Sequence, residues 1–518
     1  MTDHLDSTHS QAKAQGPQDT QSGTTRRPHS FWLLPTLLIL LIVAGTVLLL
    51  TPSATPQVLD AVPDRNVSAG EPITVSEALF TATSAVCLTG LTVRDTARDF
   101  TPFGQTVIAF LIQLGALCII TFGTILALRL SQSMDSHEPS TWLDQDHEPP
   151  RRQTFRLIGF IILTTIMIEL IGAALMYPLW ADPAGAAHTS MQRVGMSFFH
   201  AMSAFCNAGF DLTGHSLVNH RFALLTHAVV LPLIVVGGLG YPVLANLFNI
   251  LRARLKQRLR DTSCGVESKL NTHTKMVLAT TACLYLLGVV TIGAGQLTPH
   301  MHESMQLGVT AHADSPEPLT MTSFGGVLAD ASFMSITSRT AGFNAMPVDE
   351  LQPAGRFSVM MLMLAGGSPG SAAGGVKTIF IALLVLSTIA TIRKRTQAQS
   401  FGCVLAGPLI RGALALGICY LLLVVVSTLL LCLSEPFTFQ SLLFEAVSAS
   451  TNTGLSLGVT QDLTGFGRGV VLLTMFLGRV GPLMLLGRLI YTQSEAVSAG
   501  AGGADLRRPG AIWRSGTG

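Results

Sequence analysis

The residues of this chain whose types and spacing could do chemistry lie in four short polar stretches, each closed by a glycine. They run from Ser84 to Gly90, Ser203 to Gly209, Ser338 to Gly342 and Ser448 to Gly454. In three of them a Phe stands ten residues before the glycine (Phe80, Phe199, Phe444) and a Ser six before (Ser84, Ser203, Ser448), whereas the third has Ser332 and Ile336 there. The chemistry on offer is that of the backbone. Selection among monovalent cations needs no nucleophile or general base, only carbonyl oxygens spaced to replace an ion's hydration shell. Glycine admits the backbone angles that aim successive carbonyls toward one axis. The candidate ion-binding residues of such a filter are Cys87, Leu88, Thr89 and Gly90; Cys206, Asn207, Ala208 and Gly209; Thr340, Ala341 and Gly342; and Asn452, Thr453 and Gly454. One such glycine would read as an ordinary helix C-cap. Four in a repeated pattern do not.

The elements that must position these stretches are apolar. Of 518 residues, 48% are hydrophobic and only 12% charged, with a mean hydropathy of +0.49. A soluble domain carries about 25% charged residues, so the composition indicates a polytopic membrane protein. A net charge of +2 and the lack of a long basic run argue against nucleic-acid binding. The eight cysteines form no C-x-x-C pair, and most sit in apolar runs as small hydrophobes.

Each glycine-ended stretch falls between hydrophobic segments, so the chain divides into four units of helix, short re-entrant helix and second helix. The first unit covers residues 31–130, with a span at 31–50, a pore helix at 75–86 and a return at 103–130. The second covers 155–251, with a short segment at 196–205 and a single return helix at 222–251. The third covers 273–391, with a pore helix at 324–334, and the fourth covers 408–492, with one at 439–449. Residues 1–30 form a polar tail with no apolar run, and 493–518 a C-terminal tail. The fold class is therefore all-α and polytopic, with eight transmembrane helices and four re-entrant loops around one pore. Basic residues (Arg26, Arg27; Arg252, Arg254, Lys256, Arg258, Arg260; Arg393, Lys394, Arg395; Arg507, Arg508, Arg514) gather at the termini and between units, and the opposite loops lack them. Positive-inside bias puts both termini in the cytoplasm.

The third unit's second helix is interrupted at residues 366–375 by Gly366, Gly367, Ser368, Pro369, Gly370, Ser371, Gly374 and Gly375. Proline lacks a donor and glycine disfavours helix. The stretch misses the phosphate-loop spacing, because Val376 separates Gly375 from Lys377. A flexible break beneath a filter would act as a gate. Asp95 and Asp211 follow their glycines closely and belong at an outer mouth, where carboxylates concentrate cations. Glu77 and Glu445 read as structural residues of the pore helices, Glu169 as a lone acid in an apolar helix, and Arg339 as a brace behind the third stretch.

These motifs resemble the TrkH/KtrB superfamily of potassium transporters, and the KtrB branch most closely. The resemblance rests on Thr89-Gly90-Leu91, His200 to Leu212, Leu270 to Lys275, Ser338 to Asn344, Gly366 to Lys377, Thr453 to Ser456 and Gly478 to Pro482. It extends over about residues 31–492. It implies potassium uptake across the bacterial cell membrane through four M1-P-M2 repeats, with K+ as the transported ion held at the filter residues. It further implies an intramembrane gate faced by Arg479, a homodimer in the lipid bilayer, and a cytosolic ring of nucleotide-binding, KtrA/TrkA-like regulatory subunits. Arg479 is a charge within an apolar helix, and such charges are rare and usually functional. It is expected to hold the 366–375 loop across the pore. The competing readings are a sodium- or proton-coupled secondary transporter and a membrane-embedded enzyme. Units of one orientation favour a pore over the inverted repeats of alternating access. The apolar spans offer only scattered acids in place of a nucleophile–base constellation, so no enzymatic step is expected.

Overall fold

The protein is described by a computed structural model over residues 32–55, 72–134, 150–181, 189–260, 270–306, 324–395, 397–401, 403–405 and 407–503. The tail at 1–30, with Arg26 and Arg27, lies outside these residues, as do Arg507, Arg508 and Arg514. It is mostly helical. In chain order the helices are α1 (Leu33–Leu49), α2 (Val75–Val86), α3 (Pro102–Met134), α4 (Pro150–Met176), α5 (Ser190–Phe205), α6 (Leu231–Leu239) and α7 (Tyr241–Arg260). They continue with α8 (Thr272–Gln306), α9 (Phe324–Thr337), α10 (Pro353–Leu364), α11 (Thr378–Ile392), α12 (Gly407–Ser434), α13 (Phe439–Thr451) and α14 (Gly465–Gly503).

Five of these helices are long and apolar enough to cross a membrane, or six if the bent pair α6–α7 counts as one span. Eight were expected from the sequence. The difference lies in α1, apolar but only 17 residues long, and in α10 and α11, which are short because glycine and proline cut the third unit's second helix in two. The single return helix expected at 222–251 is also broken. A π-turn at Thr226–Val230 opens it, and at Gly240, with φ +80°, the chain bends by 106° between α6 and α7. A positive φ ends any right-handed helix, and glycine adopts it without a Cβ clash.

The short helices start on side-chain caps. Thr74 accepts from the Glu77 N–H while Glu77 accepts from the Thr74 N–H, and Thr189 and Gln192 make the same reciprocal pair at α5. Such a capping box satisfies donors that a helix start leaves free. At α13 the Thr438 hydroxyl accepts from the Ser441 N–H.

Packing between units closes a circle. α3 lies against α5, α6 against α9, α10 against α13, and α14 against α2. Each unit's second helix therefore touches the next unit's short helix, and the fourth returns to the first. In lipid the transfer of apolar side chains drives little of this association, so close packing and hydrogen bonds hold it. Three glycines permit that closeness: a Cβ on Gly115 of α3 would stand 2.3 Å from the Val86 carbonyl oxygen, one on Gly237 of α6 1.8 Å from Phe205 O, and one on Gly478 of α14 1.9 Å from Ser450 O. Each of those carbonyls lies four residues before its unit's closing glycine. Exposed apolar side chains such as Leu40, Phe110, Leu163, Val290 and Leu421 form the outer surface.

Candidate functional site: a ring of four glycine-ended turns over a buried loop

The four stretches meet at the centre of the circle. In each, the residue two before the glycine and the glycine itself both have positive φ: Leu88 (57°) and Gly90 (84°), Asn207 (50°) and Gly209 (70°), Thr340 (71°) and Gly342 (81°), Asn452 (53°) and Gly454 (90°). Left-handed residues alternating with ordinary ones give each stretch a backbone course that is neither helix nor strand. The order around the ring follows the packing order. A Cβ on Gly90 would stand 2.6 Å from the Ala208 carbonyl oxygen, one on Gly209 3.1 Å from Ala341 O, one on Gly342 2.4 Å from Thr453 O, and one on Gly454 2.2 Å from Thr89 O. Each glycine thus abuts the carbonyl that precedes its neighbour's glycine, and the fourth abuts the first. All fourteen residues singled out from the sequence lie in these turns, and Cys87, Cys206, Ala341 and Thr453 are fully buried.

The serines hold the turns. The Ser84, Ser203 and Ser448 carbonyls accept from the Thr89, Ala208 and Thr453 N–H groups at 2.8, 2.9 and 2.9 Å. The third turn does the same with Thr337, whose carbonyl accepts from the Ala341 N–H at 2.9 Å and whose hydroxyl donates to Phe343 O at 2.7 Å. Thr337 stands five residues before its glycine and the buried Phe333 nine before, so this unit carries the shared pattern with one residue fewer. The apparent departure at Ser332 and Ile336 is a spacing one residue shorter between short helix and glycine, which a search at fixed offsets passes over.

Below the ring, on the side of the residues that precede the glycines, sits the loop between α10 and α11. Every residue from 366 to 375 is buried. Its neck is closed by its own backbone, with Gly366 N–H donating to Val376 O, Val376 N–H to Leu364 O and Thr378 N–H to Gly367 O, each at 3.0 Å. Its body is held by all the surrounding units. Ser368 N–H donates to Gly238 O at 2.9 Å, Tyr241 N–H donates to Gly370 O at 3.1 Å, and the Thr124 hydroxyl reaches Gly370 O at 3.4 Å. Ser371 donates its hydroxyl to Ser368 O at 2.6 Å. From α14, Arg479, only 3% exposed, donates through Nη2 to the Ala372 carbonyl. Lys377 turns back on the loop, donating to Ala373 O at 2.6 Å. Arg339, expected as a brace behind the third stretch, bonds the start of the loop: its Nη2 donates to Gly366 O at 3.0 Å. The break at Gly240, which docks the loop, was not anticipated from the sequence, although Gly237-Gly238-Leu239-Gly240 carried its signal.

Outside the ring, Asp95 and Asp211 lie close enough to influence each other. Burial, opposed by a bond from the Ala97 N–H and reinforced by the Asp211 charge, raises the Asp95 carboxyl above its ordinary value. Asp211 is engaged by its own turn, accepting from Thr213 N–H and Ser216 N–H at 3.0 Å each. Glu77 pairs with Arg94 at 3.1 Å, Asp330 of α9 pairs with Arg221 through two bonds of 2.8 and 2.5 Å, and Glu445 accepts from Ser456 and Thr460. These acids tie short helices to the loops that follow the ring. Glu169 lies within 3.5 Å of the Cys206 sulfur. Among the described residues no group of His, Cys, Asp and Glu has the arrangement of a metal centre.

The family model described as TrkH, a cation transport protein, matches residues 49–498. The potassium/sodium uptake protein NtpJ of Enterococcus hirae is 31% identical over 82% of this chain and 88% of its own. The Ktr system potassium uptake protein B of Bacillus subtilis is 30% identical over 88% of this chain and 92% of its own. Among solved structures, the potassium transporter TrkH of Vibrio parahaemolyticus shares the fold, with a TM-score of 0.63, 16% identity, and coverage of 92% of this chain and 86% of that one.

Proposed function

Because this chain belongs to the TrkH family of cation transport proteins, a family of multi-pass membrane transporters and not of enzymes, we propose that it takes up potassium into a bacterial cell through the glycine ring. In this reading the four units are M1-P-M2 repeats around one pore. The carbonyls at Cys87–Gly90, Cys206–Gly209, Thr340–Gly342 and Asn452–Gly454 replace the water shell of K+. The 366–375 loop is the gate, and Arg479 holds it shut. Asp95 and Asp211 gather cations at the outer mouth. A cytosolic nucleotide-binding subunit ring acts on the gate, the chain works as a homodimer, and both termini face the cytoplasm.

The observation that carries the reading is the cyclic closure of the ring, in which each glycine abuts the carbonyl before the next. Its consequence is energetic. An ion that sheds its hydration shell must meet oxygens already in place, and short hydrogen-bonded turns buried on all sides keep those oxygens from collapsing. The printed names of the two sequence relatives, one of potassium uptake and one of potassium/sodium uptake, point to the same ion class. Expression with a regulatory subunit in a bacterial strain that lacks potassium uptake should restore growth at limiting K+. Absence of K+ influx, with the chain inserted and its partner bound, would reject the reading. Uptake of K+ that requires Na+ would convert the pore into a sodium-coupled transporter.

A further inference from the structure

We propose that the third filter turn and the gate loop form one mechanical unit, so that opening the gate changes the selectivity of the filter through Thr340. The inference rests on the reading of the ring as filter and the loop as gate. Its basis is a pair of adjacent residues that face the two ends of the loop. The Arg339 guanidinium donates to Ala365 O at 3.4 Å and Gly366 O at 3.0 Å, where the loop begins. The Thr340 hydroxyl accepts from the Gly374 N–H at 3.0 Å, where the loop ends. Between them the neck is closed by backbone bonds, so the loop hangs from the third turn as a closed lariat. The other turns lack this arrangement: Asn452 donates to Thr89 and to Met475 O, and the Asn207 side chain, buried to 1% exposure, has no hydrogen-bond partner.

The backbone of Thr340 makes the connection sensitive. It has φ +71°, and it is the β-branched member of the four positive-φ residues that stand two before the glycines, the others being Leu88, Asn207 and Asn452. Asparagine tolerates the left-handed region, but a β-branched side chain there is strained and persists only where its surroundings hold it. The Gly374 N–H is such a hold, because it fixes the hydroxyl and with it the side-chain rotamer. When the loop leaves the pore, that bond breaks, and Thr340 relaxes toward ordinary angles. Its carbonyl then turns from the ring, and one quarter of the filter loses its geometry. Arg339 is the second tie, to the other end of the loop. Filter and gate are thereby coupled in both directions, as linkage requires: an ion seated at Thr340 would also favour the closed loop.

The test uses K+ and Na+ influx into proteoliposomes holding the full chain with its regulatory subunits, for wild type, Arg479→Ala, Thr340→Val, Thr340→Ser and the double variant Arg479→Ala/Thr340→Val. Arg479 bonds the loop at Ala372 O, two residues before the Gly374 N–H that Thr340 holds, and belongs to a different turn's unit, so its removal frees the loop without touching Thr340 itself. Coupling predicts that Arg479→Ala raises K+ influx and lowers the K+/Na+ influx ratio by about fivefold, the scale of one lost hydrogen bond. Thr340→Val lowers the ratio to a similar extent, Thr340→Ser preserves it, and Arg479→Ala has no further effect on the ratio once Thr340 is Val. Such non-additivity is the signature of two residues acting through one contact. If Arg479→Ala raises influx with the ratio unchanged, the gate reading stands and the coupling is overturned; this arm holds even if Thr340→Val fails to insert. An equal change of ratio in both backgrounds also overturns it. If Arg479→Ala leaves influx unaltered, the gate reading fails, and the coupling fails with it.

Discussion

At the scale of single residues, the ring is built on four glycines, each pressed against a neighbouring carbonyl. The clearances differ, and so should the variants. A Cβ on Gly454 would meet Thr89 O at 2.2 Å and one on Gly342 would meet Thr453 O at 2.4 Å, whereas one on Gly209 stands 3.1 Å from Ala341 O. Contacts under about 3 Å force the backbone to shift, and the neighbour here is a carbonyl of the ring itself. Gly454→Ala and Gly342→Ala should therefore abolish K+ uptake, and Gly209→Ala should retain a measurable part of it. A reversed order in ion-content assays would contradict the ring geometry. Asp95 gives a second prediction. Its carboxyl is raised above its ordinary value of about 4, chiefly by burial, with the Asp211 charge adding to it. The neutral form then accumulates at a higher pH than for a free carboxylate, and the mouth loses negative charge as the outside acidifies. K+ influx at low K+ should fall as external pH drops through that raised range, and Asp95→Asn should flatten the profile. A profile unchanged by Asp95→Asn would remove the residue from the mouth. The glycines and both aspartates were legible in the sequence because residue type and spacing carry them. The Thr340 bond to Gly374 was not, since it joins residues whose proximity only the tertiary fold creates.

At the scale of elements, the sequence reads the short helix at Val75–Val86 with the bounds that the structure has, because its length and the polar stretch beyond it are local signals. The second unit's return helix was not. Hydropathy runs on through residues 222–251, so an apolar pattern alone continues the helix across Gly240. What breaks it is the 366–375 loop: Tyr241 N–H bonds Gly370 O, and Gly238 O accepts from Ser368 N–H, so the chain exchanges helical bonds for bonds to the loop. Non-helical backbone at membrane depth survives only where protein satisfies it in this way. The break and the loop are two halves of one joint. Gly240→Ala would set a Cβ 2.6 Å from the Ser368 hydroxyl and 2.7 Å from Pro369 O, at a φ of +80°. It should displace the loop and raise K+ leak in the absence of regulatory stimulation. Gly238→Ala, whose nearest neighbour would be Asn207 Nδ2 at 3.8 Å, should leave the leak at its wild-type level. Equal leak in the two variants would mean that the break does not hold the loop.

At the scale of the whole molecule, four units that share little sequence close into a circle because each second helix packs on the next short helix and each glycine on the next carbonyl. The third unit hid its membership behind a spacing one residue shorter, with Phe333 and Thr337 one position nearer the glycine than their counterparts. Fixed offsets miss such a shift, whereas packing restores it, since Phe333 is as buried as Phe80 and Phe444. On the proposed reading of the ring as a filter, selectivity is a collective property: a ring that loses one turn's geometry would keep three sets of carbonyls around a wider, wetter opening, through which ions would cross with their shells. The measurement that bears most directly on this is the influx of K+ and Na+ into proteoliposomes for wild type and Gly209→Ser, the mildest of the four sites. The account predicts K+ influx well above Na+ influx in the wild type, and a variant in which the two approach equality while total flux persists. Equal influx of the two ions in the wild type, or a K+ preference untouched by Gly209→Ser, would contradict a filter built from these carbonyls.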